Sequence, residues 1–345
     1  MYIGFYNFYE VYNNNQMFQN PENQFGGDRM YFMYYLGQQL LKEGHIINTI
    51  DREKNLLDFN AILFIDFPTL KNNYFNNLIN KEFENLYLLI MEPFIIKPDN
   101  WYLKNHKYFK KIFTWNDKLI DNKKYFKINY SFKLPKVIDI DMSKKEKLCT
   151  LIAGNKYKSG LGELYSERIN AIRWFEKNHL EDFDLYGLGW GKYNFKGVFS
   201  RLNKYEYLKS FFKVYYPSYK GAIFSKKNIL EKYRFSICYE NCMNAEGYIT
   251  EKIFDCFFSS CVPIYLGAPN VEEHIPSNTF IDKRNFKTYE ELYEFLKSIN
   301  ESKYKQYLLN IRNFLISDKI KEFSLEYFTS TIINEILKDI NKKRS

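Results

Sequence analysis

Two α/β domains in tandem are predicted by three features of the sequence. Short apolar strands alternate with helix-period segments along both halves, a pattern that calls for parallel sheets with both faces covered. A charged stretch, DMSKKEK at 141–147, separates the two series. A length of 345 residues suffices for two cores.

In the first half the strands are YIGFY at 2–6, HIINTI at 45–50, AILFID at 61–66, NLYLLIME at 85–92 and KKIFTW at 110–115. A helix from about Asp28 to Glu43 is expected between the first two, with Asp28 as N-cap, Phe32, Met33, Leu36 and Leu40 at helical spacing, and Gly44 as the stop. The second half begins with LCTLIAG at 148–154, then a helix from about Leu164 to Asn178, FDLYG at 183–187, RFSICYE at 234–240, a helix from about Thr250 to Ser260 and VPIYLG at 262–267. Helices at 288–299 and 324–338 follow, the last with Leu325, Phe328, Ile332, Ile336 and Leu337 inward, and able to rest on either domain. The expected divisions are residues 1–145, 146–320, and a C-terminal helix with basic tail at 321–345.

The composition, 46% hydrophobic and 26% charged with 32 Phe and 31 Tyr, is that of a folded globular protein. No run approaches the roughly 20 apolar residues that cross a bilayer, and MYIGFYNFYE lacks a basic region leading an apolar one, so a cytoplasmic protein is expected. Cys149, Cys238, Cys242, Cys256 and Cys261 are odd in number and sit in apolar segments, as core thiols do. The formal charge of +9 is compatible with nucleic acid, an anionic membrane or a phosphate-bearing substrate, yet it is distributed as KK and KNK pairs, the pattern of a solvated surface. A nucleic-acid binder is disfavoured because the aromatics fall mostly on core positions of strands and helices.

The informative stretch is YENCMNAEGYITEK at 239–252. It follows the carboxyl end of a buried strand and opens the helix EKIFDCFFSS, where unpaired N–H groups favour an anion. Lys252 in the first helical turn opposes the dipole, whereas Glu251 complements it. The bland reading is that Thr250 caps the helix, Tyr248 packs and Lys252 points to water. The alternative is a ligand site for a diphosphate.

With the residues that follow, YRFSICYENCMNAEGYITEKIFDCFFSSCVPIYLGAPNVEEHIPSNTFIDKRNF at 233–286 resembles the signature of the α-1,3-fucosyltransferases, glycosyltransferase family 10. That pattern is approximately F-x-x-x-F/Y-E-N, Y-x-T-E-K, V-P-x-x-x-G-x-P, then S/T-F-I-D/N. The resemblance implies a GT-B fold, two Rossmann-like α/β domains facing a cleft, with GDP-fucose on the C-terminal domain and the acceptor on the N-terminal side. It carries the donor contacts to Asn241, Tyr248, Glu251 and Lys252, with Lys252 on the diphosphate and Glu251 on sugar or ribose hydroxyls.

A second cation is expected from SERINAIRWF at 166–175, where Arg168 offers a planar fork for phosphate oxygens and Arg173 is its rival. Asn155, in the loop AGNKYKSGLG at 153–162, and Gly187, in YGLGWG at 186–191, are further candidate contacts. YGLGWG is not a GxGxxG opening a helix, so a dinucleotide reading has little support. Lys220, Lys226 and Lys227 read as exposed face. The base that deprotonates an acceptor hydroxyl is expected at a strand end, and Glu92, closing NLYLLIME before Pro93, fits the family's catalytic Glu. Its rivals are Asp66 in LFIDFP and the DID at 139–141, a metal-motif look-alike in the linker.

These features together lead to an expected inverting fucosyltransferase acting on a glycan acceptor, with a GlcNAc or Glc residue and α-1,3 linkage implied by the resemblance. Another sugar nucleotide is the alternative donor. No cofactor or metal is required in this reading, GDP-fucose being a substrate and a divalent cation at most stimulatory. The expected partners are GDP-fucose and an oligosaccharide or glycoconjugate, with no nucleic acid and at most weak peripheral membrane contact through the basic tail.

Overall fold

The computed structural model describes residues 1–20, 30–135, 140, 142–195, 197–212 and 214–341. The chain divides into two units, one of Met1–Leu134, Glu246–Tyr248 and Ile320–Ser345, the other of Pro135–Ala245 and Ile249–Lys319.

The first unit is built on β1 (Tyr2–Asn7), α1 (Tyr31–Lys42), β2 (Ile46–Thr49), β3 (Ala61–Ile65), α2 (Asn73–Asn80), β4 (Leu86–Ile90), β5 (Lys111–Thr114) and β6 (Tyr125–Lys127). All six strands are parallel, in the order β2-β1-β3-β4-β5-β6. Because successive strand residues face opposite sides, the continuous apolar run of β3 feeds two cores. Ala61, Leu63 and Ile65 face α1, through Phe32, Met33, Leu36 and Leu40; Ile62 and Phe64 face α2, through Phe75 and Leu78. The α1 helix begins at Tyr31, and the expected cap, Asp28, lies outside the described residues.

The second unit contains β7 (Lys147–Ile152), α3 (Tyr165–Asn178), β8 (Phe183–Tyr186), α4 (Glu206–Phe211), α5 (Lys226–Leu230), β9 (Tyr233–Tyr239), α6 (Glu251–Phe257), β10 (Val262–Leu266), α7 (Val271–His274), β11 (Ile281–Asp282), α8 (Tyr289–Ser298) and α9 (Glu301–Leu315). The chain closes with α10 (Leu325–Asn341), which belongs to the first unit and buries Leu325, Phe328, Ile332, Ile333 and Ile336. The second sheet is again all parallel, ordered β11-β10-β9-β7-β8. Its connections run outward in opposite directions from β7 and β9. The carboxyl ends of that pair form the switch point where open parallel sheets bind ligands.

Elements that the apolar pattern does not predict include β6 and β11, both short edge strands, and α9, started by the Asn300 side chain accepting from Lys303 N–H. All five cysteines are buried and reduced.

Candidate active site

The second unit assembles a charged cluster at its switch point. Glu240, directly after β9, is completely buried. Its carboxylate accepts from Thr250 N–H and Thr250 hydroxyl, each at 2.8 Å, and from Lys252 Nζ at 2.9 Å. Lys252 Nζ also donates to Thr250 Oγ1 at 2.8 Å. An uncompensated carboxylate at this depth would cost several kcal/mol, so the lysine that looks misplaced beside a helix dipole is the counter-ion of a buried acid. Thr250 occupies the N-cap position of α6, but its side chain caps no helical N–H, contrary to the sequence expectation. Its hydroxyl turns to Glu240 instead.

Room for Glu240 comes from Gly267, where a Cβ would stand 2.5 Å from Glu240 Cγ. The glycine that closes VPIYLG is therefore fixed by the acid just beyond the neighbouring strand and by the Tyr265 hydroxyl, which would also stand 2.5 Å from that Cβ.

Arg168, on α3, is buried and latched to the same strand end. Its Nη2 donates to Tyr239 O at 2.6 Å, Glu240 O at 2.7 Å and Asn241 Oδ1 at 3.1 Å, and its guanidinium lies 4.9 Å from the Tyr165 ring centre. Arg173 points elsewhere, stacked 3.8 Å over Tyr216 and paired with Glu176. A cavity of about 30 Å³ is lined by Ala153, Arg168, Lys226, Tyr239, Lys252 and Asp255, among others. That is space for about one water molecule. Lys226 is a correction to the sequence reading: it is half-buried, paired with Asp255 and 3.9 Å from Glu251. Lys220 and Lys227 are exposed as expected. Glu251 sits 3.9 Å from Lys252 Nζ, so its carboxylate bridges two cations.

Arg168, Asn241, Glu251 and Lys252 thus meet around Glu240. Asn155 and Gly187 have mainly loop-building contacts. The Asn155 amide donates to Gly189 O and Lys192 O, each at 3.0 Å, and its Oδ1 accepts from Asn194 at 2.7 Å. Gly187 has φ of 131°, and a Cβ there would meet Ala153 O at 2.0 Å. Tyr248 lies in the first unit, 1% exposed, its ring 4.8 Å from Trp115 and 6.0 Å from Tyr130. That burial leaves almost none of its surface open to a donor in this conformation. Glu240 was not among the residues singled out from sequence as contacts. The available signal was a pair of misfits of opposite sign, an acid ending an apolar strand and a lysine opening the next helix.

In the first unit, Glu92 follows β4 and is held by its backbone. Its N–H donates to Asp66 Oδ1 at 3.0 Å, and its carbonyl accepts from Asn100 Nδ2 at 3.1 Å and Trp101 Nε1 at 3.2 Å. Tyr9 hydroxyl donates to Glu92 Oε1 at 3.3 Å. Burial, reinforced by the charges of Glu92 and Asp66, pushes the Tyr9 hydroxyl pKa up, so it remains a donor. Asp66, proposed above as a rival base, is buried, and its Oδ1 accepts from Met91 N–H, Glu92 N–H and Asn100 Nδ2. Burial raises its pKa against the opposing pull of those donors. With φ of 59°, a conformation Asp tolerates better than most residues, it serves as a clamp on the Glu92 backbone. Of the DID look-alike, Asp139 and Asp141 lie outside the described residues.

Residues 190–343 match the family model described as glycosyltransferase family 10 (fucosyltransferase) C-term. The alpha-(1,3)-fucosyltransferase FucT of Helicobacter pylori is 35% identical over 79 residues, which are 23% of this chain and 16% of that protein. The 4-galactosyl-N-acetylglucosaminide 3-alpha-L-fucosyltransferase 9 of Mus musculus is 29% identical over 119 residues, 33% of each chain. The matched stretches therefore span a third or less of these relatives. A crystal structure of alpha1,3-fucosyltransferase is similar with a TM-score of 0.59 at 15% identity, covering 98% of this chain and 90% of that one. A structure of alpha1,3-fucosyltransferase with GDP-fucose gives 0.52 at 13%, covering 99% and 90%. T4 phage beta-glucosyltransferase gives 0.52 at 12%, covering 97% and 99%. At these identities the likeness establishes the fold, the GT-B class expected from the sequence.

Proposed function

We propose that this chain, which carries the C-terminal domain of glycosyltransferase family 10, is an inverting fucosyltransferase moving L-fucose from GDP-β-L-fucose to a glycan hydroxyl. The observation that carries the reading is the family match together with its YENCMNAEGYITEK segment, whose Lys252 is held at the switch point by a buried acid. The donor assignment draws on the family and on a structural neighbour solved with GDP-fucose. The acceptor is a GlcNAc or Glc residue linked α-1,3; the linkage accords with the names of both matched relatives and the GlcNAc with that of the Mus musculus enzyme.

In the proposed displacement the acceptor hydroxyl oxygen attacks the anomeric carbon, and Glu92 takes its proton. The bond from that carbon to the β-phosphate oxygen breaks with its electron pair on the phosphate, so GDP leaves and the configuration inverts from β to α. Lys252, with Arg168 behind it, faces the charge that develops on the diphosphate, and such preset positive groups are usually the largest electrostatic contribution. Asn241 and Glu251 bind donor hydroxyls, and Tyr248, Asn155 and Gly187 shape the segments that carry these groups. A tightly bound metal is not required in this scheme.

The test is GDP release by purified protein given GDP-fucose and N-acetyllactosamine, repeated after chelation and with GDP-mannose, UDP-glucose and UDP-GlcNAc as donors. Turnover only with another nucleotide sugar overturns the fucose assignment and leaves the fold untouched. Loss of turnover on chelation overturns the metal-free scheme.

A further inference from the structure

The chain's positive charge is not evenly spread. Residues 188–230 contain nine Lys or Arg and one Glu, a net of +8 out of the formal +9 of the whole protein. The same stretch displays eight exposed aromatic side chains, Tyr193, Phe199, Tyr205, Tyr207, Phe211, Phe212, Tyr215 and Phe224, where the sequence had suggested core positions.

The stretch leaves the carboxyl end of β8 and returns beside it, with Leu185 N–H donating to Ser218 O, Lys220 N–H to Leu185 O and Gly187 N–H to Gly221 O. Between these anchors it folds on itself. Asn203 exchanges two hydrogen bonds with the Phe195 backbone, Tyr193 N–H donates to Lys209 O, and the Phe195 ring lies between Tyr193 and Phe212 at 5.1 and 5.7 Å. That small knot fixes the backbone while leaving its largest apolar groups outside. Val198, Phe199, Tyr207 and Phe211 are 86%, 63%, 70% and 80% exposed. Tyr207 and Phe211 stand one turn apart on α4 and so share a face. No residue of the turn Gly197–Lys204 is buried.

We propose that this aromatic and basic excursion is a docking surface for an anionic phospholipid bilayer, with Phe199, Tyr207 and Phe211 entering the headgroup and acyl boundary and Arg201, Lys204 and Lys209 meeting lipid phosphates. Charge complementarity selects an anionic occupant, since a single acid interrupts the run. The exposed aliphatic and phenylalanine groups select a bilayer over a nucleic acid. Val198 offers no π-face for base stacking, whereas apolar groups beside Lys and Arg are what an interfacial segment presents to lipid. The proposal does not depend on the transferase reading, because it concerns a surface and not the reaction.

The test is flotation of the full chain with vesicles of phosphatidylcholine, with and without phosphatidylglycerol. The expected result is binding to the anionic vesicles at least about tenfold stronger than to the neutral ones, weakening with salt. The variant Phe199→Ser/Tyr207→Ser/Phe211→Ser and the variant Arg201→Glu/Lys204→Glu/Lys209→Glu should each lower it by about tenfold or more, with unchanged thermal melts. No preference for anionic vesicles, or equal binding by both variants, overturns the proposal. So does concentration-dependent dimerisation abolished by the aromatic variant without vesicle binding, or salt-sensitive retention on single-stranded DNA without it.

Discussion

Replacing Lys252 by Met should destabilise the protein far more than a surface lysine would, and the size follows from Glu240. That carboxylate has no exposed surface and three donors, of which Lys252 supplies the only positive charge within hydrogen-bond distance among the described residues. Removing one partner of a buried pair costs about 3–5 kcal/mol, because the other charge stays behind. Two neutral donors remain on Glu240 and the Lys252 side chain is one-fifth exposed, so the lower end applies, about 3 kcal/mol. The converse change, Glu240→Gln, leaves a lysine that can turn to water and to Glu251, and should cost only about 1 kcal/mol. The double variant Glu240→Gln/Lys252→Met should recover about 2 kcal/mol relative to Lys252→Met alone, a coupling typical of contacting residues. Urea denaturation of the four proteins measures this cycle, and transfer assays on the same samples separate stability from chemistry. All three variants are expected to lose donor affinity. A Lys252→Met protein within about 0.5 kcal/mol of the parent, or a double variant no more stable than the single one, would refute the counter-ion argument.

Glu92→Gln should leave GDP binding intact and lower turnover by about 10²–10⁴-fold, as measured by calorimetry and GDP release; an active variant would move the base elsewhere. Gly187→Ala should destabilise by about 1–3 kcal/mol, since its positive φ and the Ala153 carbonyl 2.0 Å from a Cβ leave no relaxed arrangement, and a melt checks it. Burial alone would raise the pKa of Asp184, but hydrogen bonds from Lys147 and Tyr233 and the charges of Lys147 and Lys220 hold it below the usual carboxylate range. A depressed folded-state pKa supports stability above about pH 4 that disappears as pH falls through the folded value. Asp184→Asn should therefore flatten the acid limb of a stability profile, and an unchanged limb would contradict the assignment.

Much of this molecule is legible in its sequence for a simple reason. A strand buried on both faces must be apolar throughout, so AILFID, NLYLLIME and RFSICYE announce a covered parallel sheet before any coordinate is seen. The edge strands β6 and β11 are too short and too polar for that signal, and α9 is started by a side-chain cap that the apolar pattern does not register. The position of Glu92 at a strand end was equally readable, because Pro93 limits the pairing of the chain behind it.

Partnership was decided elsewhere. Asp66 and Glu92 both end apolar strands, and only the fold, by turning Asp66 into a left-handed conformation under two backbone N–H groups, makes one the clamp and leaves the other side chain toward Tyr9. Lys252 reads locally as a helix misfit, and only the approach of β9 to α6 supplies the carboxylate that explains it. Tyr248 sits four residues from Lys252 along the chain, yet its ring is buried on Trp115 and Tyr130 in the first unit. Local apolar periodicity and the YENCMNAEGYITEK motif are properties of neighbouring residues, so the sequence alone determines them, whereas the Thr250 hydroxyl at the start of α6 turned to a distant acid. Which charges compensate one another, and which apolar groups remain outside, depends on residues far apart in the chain, and that only tertiary packing decides.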